Sequence, residues 1–189
     1  RFPYGQSKVL AEKAVQEAVT AGLDAVILNP VSVIGERDIN FVGGELLRVA
    51  QRGWLPFAPP GGTGFVSARA VGVGHVLAAE RGRTGERYIL NGENLTYRAL
   101  LEIIAAQVQR RAPLGVLPRP LVHLGAGAVD IWNRWRAQPP LVTGEQLRLS
   151  ALPLYFDGSK AERELGLPRV GVREAVAAAW SWYQAAGML

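Results

Sequence analysis

The first apolar pattern along the chain has a helical period. Between residues 4 and 21, apolar side chains recur every three or four positions, which predicts a helix that ends at Gly22. The members of this pattern are Val9, Leu10, Ala14, Val15, Ala18 and Val19. A continuous apolar run at residues 25–28 follows and stops at Asn29-Pro30, which is typical of a strand buried on both faces.

The same period and its end signals predict further helices. Thr143 and Gln146 form a capping-box pattern, and Thr96 is placed as an N-cap. Ser159 is placed to cap a short helix that Gly166 ends. The longer predicted helices cover residues 42–52, 69–81, 97–110, 118–137 and 172–186.

Shorter apolar runs predict strands. Phe65-Val66 begins one strand, and residues 86–90 form another. Residues 30–41 and the Pro- and Gly-rich residues 54–64 are predicted to be loops. Strands alternate with helices in the first half of the chain and helices dominate after residue 95, so the predicted fold class is α/β.

Composition narrows the range of functions. The chain has 189 residues, enough for a domain with its own core, and no cysteine, which excludes disulfides and thiolate metal sites. Its two histidines, His75 and His123, are too few for a metal cluster, so no metal is expected. The lack of cysteine also fits a reducing compartment, and we expect a cytoplasmic protein.

Charge and hydropathy argue against two kinds of partner. The net charge is +5, but no run of Lys or Arg exceeds two residues, so a nucleic-acid partner is not expected. Arg119, His123 and Asp130 interrupt the most apolar stretch, so neither a membrane span nor a membrane partner is expected. The chain begins without Met or an apolar signal, which indicates that the beginning of the natural chain is absent, with processing or trimming of the chain as an equal alternative.

Tyr4 and Lys8 form the candidate chemical pair. Residues four apart on a helix share one face. An ammonium group near a phenol favours the phenolate, which suits the phenol to give or take a proton close to neutral pH. The same spacing also occurs on exposed helices where the tyrosine packs and the lysine is solvated, so the spacing alone leaves both interpretations open.

The residues around this pair resemble a known family. The run from Tyr4 to Glu12 is similar to the active-site helix of extended short-chain dehydrogenases/reductases of the NAD-dependent epimerase/dehydratase type. Residues 28–35 resemble the family's strand and loop beside the nicotinamide. Residues 65–75, 86–92 and 157–166 resemble, in order, its short strand–helix element, a late strand and its C-terminal signature. The likeness spans nearly the whole chain and is nearest to dihydroflavonol-reductase-like and sugar-epimerase-like members.

The resemblance implies a site and a cofactor. Tyr4 would be the general acid or base, and Lys8 would favour its phenolate and hold the nicotinamide ribose. The backbone of Pro30, Val31, Ser32 and Val33 would contact the nicotinamide of NAD or NADP. The reaction implied is hydride transfer to or from a carbonyl, an alcohol or a nucleotide-sugar, with a small-molecule substrate and the option of a homodimer.

The resemblance also implies a division of the chain. Residues 1–40 and 65–94 would be the C-terminal part of a Rossmann-like doubly wound parallel sheet domain. Residues 41–64 and 95–171 would form a smaller, mainly helical substrate domain, followed by a C-terminal helix at 172–189.

Two parts of the family pattern are missing. The Gly-rich cofactor turn and the catalytic Ser or Thr lie upstream of this chain in the family, and Gly43-Gly44 and Gly61-Gly62 are interpreted as loop and helix-start glycines instead. Activity of the isolated chain is therefore doubtful. The alternative is a non-catalytic remnant or a protein-interaction module with the same fold.

Three further positions or groups raise expectations of their own. Ser67 and Ala70 stand where the family usually has acidic residues, so we expect the helix that follows to be less firmly held.

The four late tryptophans are expected in the core or in a helix–helix contact, with a substrate pocket or a dimer interface as the alternatives. They are Trp132, Trp135, Trp180 and Trp182.

Overall fold

The computed structural model describes residues 3–41, 43–53, 56–135 and 143–189. Within these ranges the chain forms eight helices and eight strands of two to six residues. The helices are α1 (Pro3–Thr20), α2 (Glu45–Gln51), α3 (Ala68–Arg81), α4 (Tyr97–Gln107), α5 (Arg119–Arg134), α6 (Gly144–Ser150), α7 (Ser159–Leu165) and α8 (Val172–Ala185). The strands are β1 (Ile27–Pro30), β2 (Ser32–Ile34), β3 (Phe57–Ala58), β4 (Gly62–Ser67), β5 (Arg87–Leu90), β6 (Glu93–Thr96), β7 (Gly115–Val116) and β8 (Pro153–Leu154).

Parallel pairing dominates the sheets. β1 pairs with β5, β2 with β4, β3 with β7 and β8 with β4, all in parallel, and the β4–β6 pair is antiparallel. Parallel strands joined through helices define an α/β fold, so the predicted fold class is confirmed. No described helix combines the length and the apolarity needed to cross a bilayer.

Strand β4 separates two hydrophobic layers. Successive side chains of a strand point to opposite faces. Phe65 belongs to the cluster formed with α2, α4 and α8, whereas Val66 belongs to the cluster formed with α3, β5 and α7. β4 is buried along its whole length because both faces are covered.

Several local signals are confirmed as predicted. α1 ends in a left-handed Gly22, with φ +103°. The Gly22 N–H donates to the Val19 carbonyl and the Leu23 N–H to the Ala18 carbonyl, which satisfies two terminal acceptors of the helix. Thr96 accepts a hydrogen bond from the Ala99 N–H and caps α4.

The capping box of α6 is also confirmed, but the predicted cap of α7 is wrong. Thr143 accepts from the Gln146 N–H, and the Gln146 side chain accepts from the Thr143 N–H. Ser159 is the first residue inside α7, and Gly158 holds the N-cap position. The reason is Asp157, whose carboxylate accepts hydrogen bonds from both the N–H and the hydroxyl of Ser159.

Two predicted loops contain strands. β2 lies within residues 30–41, and β3 and the start of β4 lie within 54–64, of which 54 and 55 are outside the described residues. Gly62 is therefore a strand glycine. A Cβ there would lie 2.4 Å from the Leu95 carbonyl oxygen, so close strand pairing requires glycine. β2 and β3 escaped prediction because they have only three and two residues, and the predicted strand at Phe65 begins earlier, at Gly62.

The apolar run at 25–28 is only half-buried, which corrects the expected burial on both faces. β1 pairs with β5 on one edge, and no other described strand pairs with it.

The four tryptophans fall into two groups. Trp180 and Trp182 pack against the core as predicted, but Trp132 and Trp135 on and just after α5 are exposed, so the core prediction is wrong for them.

Candidate active site

Tyr4 and Lys8 lie one turn apart near the start of α1. The Lys8 Nζ is 5.5 Å from the centroid of the Tyr4 ring, so the ammonium and the phenol share one face of the helix. The Tyr4 side chain is 64% exposed, which leaves it open to the space beside the sheet.

A carboxylate holds α1 against the sheet. Glu12 accepts a hydrogen bond of 2.8 Å from Arg87 on β5 and one of 2.7 Å from Asn29 on β1. The Arg87 guanidinium, and after it the Asn29 amide, hold the pKa of Glu12 below its ordinary value of 4.5. Gln16, one turn further on, donates to the Gly85 carbonyl. These contacts fix the position of α1, and with it the Tyr4–Lys8 pair, relative to the end of β1.

Two clefts meet at Tyr4 and Pro30. The larger cleft has a volume of about 730 Å³ and is lined by Tyr4, Pro30 and the residues that follow β1. The smaller cleft, of about 400 Å³, runs between α1 and β1 and is lined by Tyr4, Lys8 and Pro30. A phenol therefore stands at the junction of two spaces of a size typical of small-molecule sites.

The structure brings the sequence-predicted site residues together. Pro30, Val31, Ser32 and Val33 all line the larger cleft with Tyr4. Lys8 lines the smaller cleft only. Only Tyr4 and Pro30 line both clefts, and the roles of all six residues in binding and catalysis remain predictions.

The wall of the larger cleft depends on residues that the sequence analysis did not select. The Asp38 carboxylate accepts hydrogen bonds from the N–H groups of Gly43 and Gly44 and, at 2.9 Å, from the Tyr183 hydroxyl. Phe41 stacks on the Tyr183 ring with centroids 4.6 Å apart. Burial and the Asp38 carboxylate raise the pKa of Tyr183, so its hydroxyl stays protonated and donates. This network shapes the segment after β2.

Other cleft residues were also missed. Arg37 has a left-handed backbone, φ +67°, and lines the larger cleft together with Tyr97 from the start of α4. Burial raises the pKa of Tyr97. The charged run at 36–38 was the available sequence signal for Arg37. No local signal pointed to Tyr97, because four strands and two helices separate β2 from α4 in the sequence.

The turn into α3 borders the larger cleft, which Gly35 and Ala68 line. Ser67 is buried and accepts a hydrogen bond of 3.0 Å from the Ala70 N–H, so it caps α3. The serine hydroxyl thus supplies a capping acceptor where an acidic residue was expected, and the weaker hold on this helix stays a prediction. Gly35 approaches Ala68 so closely that a Cβ on Gly35 would lie 2.5 Å from the Ala68 Cβ.

Comparison with curated proteins finds longer relatives. The chain is 34% identical over 186 residues to a protein of Synechocystis sp. provisionally named dihydroflavonol 4-reductase, a match that covers 96% of the chain and 54% of that protein. It is 30% identical over 190 residues to sterol demethylase protein B of Methylococcus capsulatus, covering 98% and 58%. The chain thus spans little more than half the length of the curated relatives it matches. No protein-family model matches it.

Solved structures share the fold. A nucleoside-diphosphate-sugar epimerase from Pseudomonas aeruginosa superposes with a TM-score of 0.81 at 27% identity, over 100% of this chain and 57% of that one. The Bordetella bronchiseptica enzyme WbmF, solved in complex with NAD+ and UDP, superposes with a TM-score of 0.69 at 20% identity, over 97% and 53%. The second likeness concerns the fold alone, and both agree with the α/β class seen here.

Proposed function

Because the chain matches the C-terminal part of proteins of the extended short-chain dehydrogenase/reductase family, we propose that the whole protein is an NAD(P)-dependent oxidoreductase or epimerase. Tyr4 is its general acid or base. The observation that carries this proposal is the position of Tyr4 and Pro30, which line both the larger and the smaller cleft. A proton-transferring phenol at such a junction can reach a substrate on one side while a cofactor is held on the other.

The residues of the chain fit a nicotinamide nucleotide. Lys8 lines the smaller cleft, where its ammonium can donate hydrogen bonds to ribose hydroxyls. Pro30 lines both clefts and Val31 follows it, so their backbone can lie against a flat ring where the two clefts meet. When bound, the nicotinamide supplies or accepts the hydride. The part of the family fold that holds the pyrophosphate lies outside this chain, so the proposal concerns the whole protein.

Tyr4 would move the proton that accompanies the reaction. In reduction its hydroxyl donates to the carbonyl oxygen of the substrate, and in oxidation its phenolate accepts the proton of the alcohol. Lys8 lies on the same face of α1, with its Nζ 5.5 Å from the centroid of the Tyr4 ring. Glu12 has no part in the proposed proton transfer and instead holds the helix that carries Tyr4 and Lys8.

The larger cleft favours a substrate with an apolar body. One part of its wall is apolar and is formed by Val33, Ile34, Leu46, Phe65 and Leu100, while the polar side chains of the lining are those of Tyr4, Ser32, Glu36, Arg37, Asp38 and Tyr97. Such walls suit a carbonyl or alcohol compound with a hydrophobic frame. A nucleotide-sugar would instead need its phosphates near a cation, a role that Arg37 could fill, and it is the second substrate class to test.

The test measures two quantities on the full-length protein. Binding of NADH and NADPH is followed by cofactor fluorescence, and oxidation of the bound cofactor is followed with apolar ketones and with nucleotide-sugars. Tyr4→Phe keeps the ring and removes the proton. It should lower kcat by about 100-fold or more, a typical contribution of acid–base catalysis, while the Kd of the cofactor stays within about twofold.

Tyr155→Phe is the matched control, because Tyr155 is exposed and lines neither of the two clefts. It should leave both quantities unchanged. If the wild-type protein binds neither cofactor, the proposal is wrong and the non-catalytic alternative stands. If Tyr4→Phe and Tyr155→Phe have equal activity, the protein is an enzyme without the assigned acid.

A further inference from the structure

Tyr97 places a second phenol in the wall of the larger cleft. It is the first residue of α4 and lines this cleft together with Tyr4. Its ring is half-buried and packs against the hydrophobic cluster to which Ile34 and Leu100 belong. The reaction proposed above uses only the Tyr4 phenol, so the Tyr97 hydroxyl has no assigned role.

The backbone at Tyr97 is held firmly in place. Its N–H donates to the Gly61 carbonyl at 3.0 Å. The preceding Thr96 pairs with Gly62 of β4, and its hydroxyl caps α4 by accepting from the Ala99 N–H. These contacts do not involve the phenol, so the ring is positioned by the fold, as is usual for the wall of a preformed small-molecule site.

The Tyr97 hydroxyl has no hydrogen-bond partner within the part of the chain that the structure describes. Two other phenols do have one, since the Tyr88 hydroxyl donates to Glu164 and the Tyr183 hydroxyl donates to Asp38. A phenol that loses contact with water normally gains a partner, because an unpaired polar group costs free energy. A bound molecule in the larger cleft can supply the acceptor for Tyr97.

Tyr97 is suited to hold an oxygen atom and not to transfer a proton. Burial raises the pKa of its hydroxyl, so the phenol stays protonated near neutral pH and can donate a hydrogen bond. Tyr4 has the Lys8 ammonium 5.5 Å from the centroid of its ring, and no described cation lies over the ring of Tyr97. The two phenols of the larger cleft therefore differ in their chemistry.

We propose that Tyr97 is a specificity-determining residue, whose hydroxyl donates a hydrogen bond to a second oxygen of the substrate. This inference rests on the proposed function, because the reacting oxygen is assigned to Tyr4. The substrate is then a carbonyl compound, or the corresponding alcohol, whose apolar frame carries a further ether, hydroxyl or carbonyl oxygen. The apolar part of the wall binds the frame, and Tyr97 distinguishes between frames of the same shape. A site with such a donor rejects the analogue that lacks the oxygen, because its polar group is then left unpaired.

Other donors in the larger cleft are less selective. Ser32 and Arg37 line it as well, but both are exposed, so water competes with a substrate oxygen for them. The half-burial of Tyr97 reduces this competition. The presence of one particular oxygen should therefore matter more at Tyr97 than at either of the exposed residues.

The test uses the full-length protein with bound NAD(P)H and two pairs of ketones of nearly equal shape. 4-Chromanone differs from 1-tetralone only by a ring oxygen in place of a CH2 group, and 3-chromanone differs from 2-tetralone in the same way. The preference within a pair is the ratio of the two kcat/KM values. In at least one pair, Tyr97→Phe should lower the preference for the oxygenated ketone by about fivefold, the value of one neutral hydrogen bond. Comparing wild type and variant cancels the intrinsic reactivity of each carbonyl.

Two controls separate recognition from folding. Tyr155→Phe removes an exposed phenol outside both clefts and should keep the wild-type preferences. Tyr97→Phe should unfold at the Tm of the wild type or above it, because its hydroxyl makes no hydrogen bond to the described fold. A fall in Tm as large as that for Tyr183→Phe, which removes the hydrogen bond to Asp38, would assign the Tyr97 hydroxyl to the fold and overturn the inference.

The failure of this inference is distinguishable from the failure of the proposed function. Unchanged preferences in Tyr97→Phe, or an equal loss of kcat/KM for all four ketones, overturn the role of Tyr97. The function still stands in that case if Tyr4→Phe loses its turnover. A wild-type protein that binds the cofactor and reduces none of the four ketones overturns the substrate class. One that binds no cofactor overturns the proposed function, and this inference with it.

Discussion

The Tyr183 hydroxyl donates a hydrogen bond of 2.9 Å to the Asp38 carboxylate, linking the last helix to the segment that borders the larger cleft. Asp38 also binds the N–H groups of Gly43 and Gly44, so one carboxylate sets the course of the chain between β2 and α2. Gly44 faces the Tyr183 ring so closely that any Cβ there would overlap it. The end of the chain therefore takes part in shaping the candidate site.

Tyr183→Phe should lower stability and loosen the cleft. It removes a hydrogen bond to a charged acceptor, which is worth about 1.5–3 kcal/mol, although Asp38 keeps its two backbone donors, so we expect the lower end. The free energy of unfolding is measured in urea, and KM and kcat are measured on the full-length protein. KM should rise while kcat changes little, since the reacting groups stay in place.

Tyr155→Phe is the control for this loss of a phenol. Tyr155 is half exposed and does not belong to the hydrogen bonds around Asp38. Tyr155→Phe should therefore have the same free energy of unfolding as the wild type. Equal unfolding free energies for Tyr183→Phe and the wild type would show that the Asp38 contact contributes nothing to the fold.

The sequence predicted those parts of the fold that depend on neighbouring residues. The end of α1 at Gly22 and the Thr143–Gln146 capping box are formed within a few positions, and both were found as predicted. The spacing of Tyr4 and Lys8 is also local, but it left two interpretations open, and the resemblance of the surrounding residues to a known family selected the pair.

Features that depend on distant contacts were not predictable. Asp38 and Tyr183 are 145 positions apart, and nothing in either neighbourhood indicates the other. A helical period identifies the apolar face of α5 but not what covers it, so Trp132 was expected in the core or in a helix–helix contact, whereas it is exposed. The short strand β4 begins with glycines because neighbouring strands approach closely, which composition alone presents as a loop.

Lys8→Met should weaken cofactor binding in the full-length protein. The variant keeps an unbranched side chain and removes the ammonium that we expect to contact the nicotinamide ribose. Loss of a charged hydrogen bond of about 1.5–3 kcal/mol predicts a Kd for NAD(P)H raised by roughly tenfold or more. Lys13→Met, on the same helix and exposed in an ion pair with Glu17, is the control. Equal Kd values for the two variants would remove Lys8 from the cofactor site.

Ser67→Ala should destabilise the protein through α3. The hydroxyl of Ser67 is buried and accepts the Ala70 N–H, and loss of an N-cap costs about 0.5–2 kcal/mol. Unfolding in urea measures the change. Ser181→Ala, at an exposed position within α8, should shift the midpoint far less. An unchanged midpoint for Ser67→Ala would mean that another group takes over the cap.

Glu12→Gln should make the free energy of unfolding less sensitive to a fall in pH. Arg87 and Asn29 lower the folded-state pKa of Glu12 below its ordinary 4.5, so the ionised carboxylate stabilises the folded state above that value. This contribution is lost as the pH falls through the lowered folded-state pKa. The Glu12 side chain is 27% exposed and that of Arg87 is 63% exposed, so the loss near pH 7 should be only about 1 kcal/mol.

The free energy of unfolding of wild type and Glu12→Gln is measured from about pH 7 down to about pH 3. The difference between the two free energies should be constant above the ordinary pKa of 4.5 and should shrink below it. At low pH the wild type loses the stabilisation by the ionised Glu12 carboxylate, which the variant lacks at every pH. Since α1 carries Tyr4, the variant should also lose part of its kcat near neutral pH. A difference that grows as the pH falls would contradict a lowered pKa, and a full kcat would show that α1 does not need this anchor.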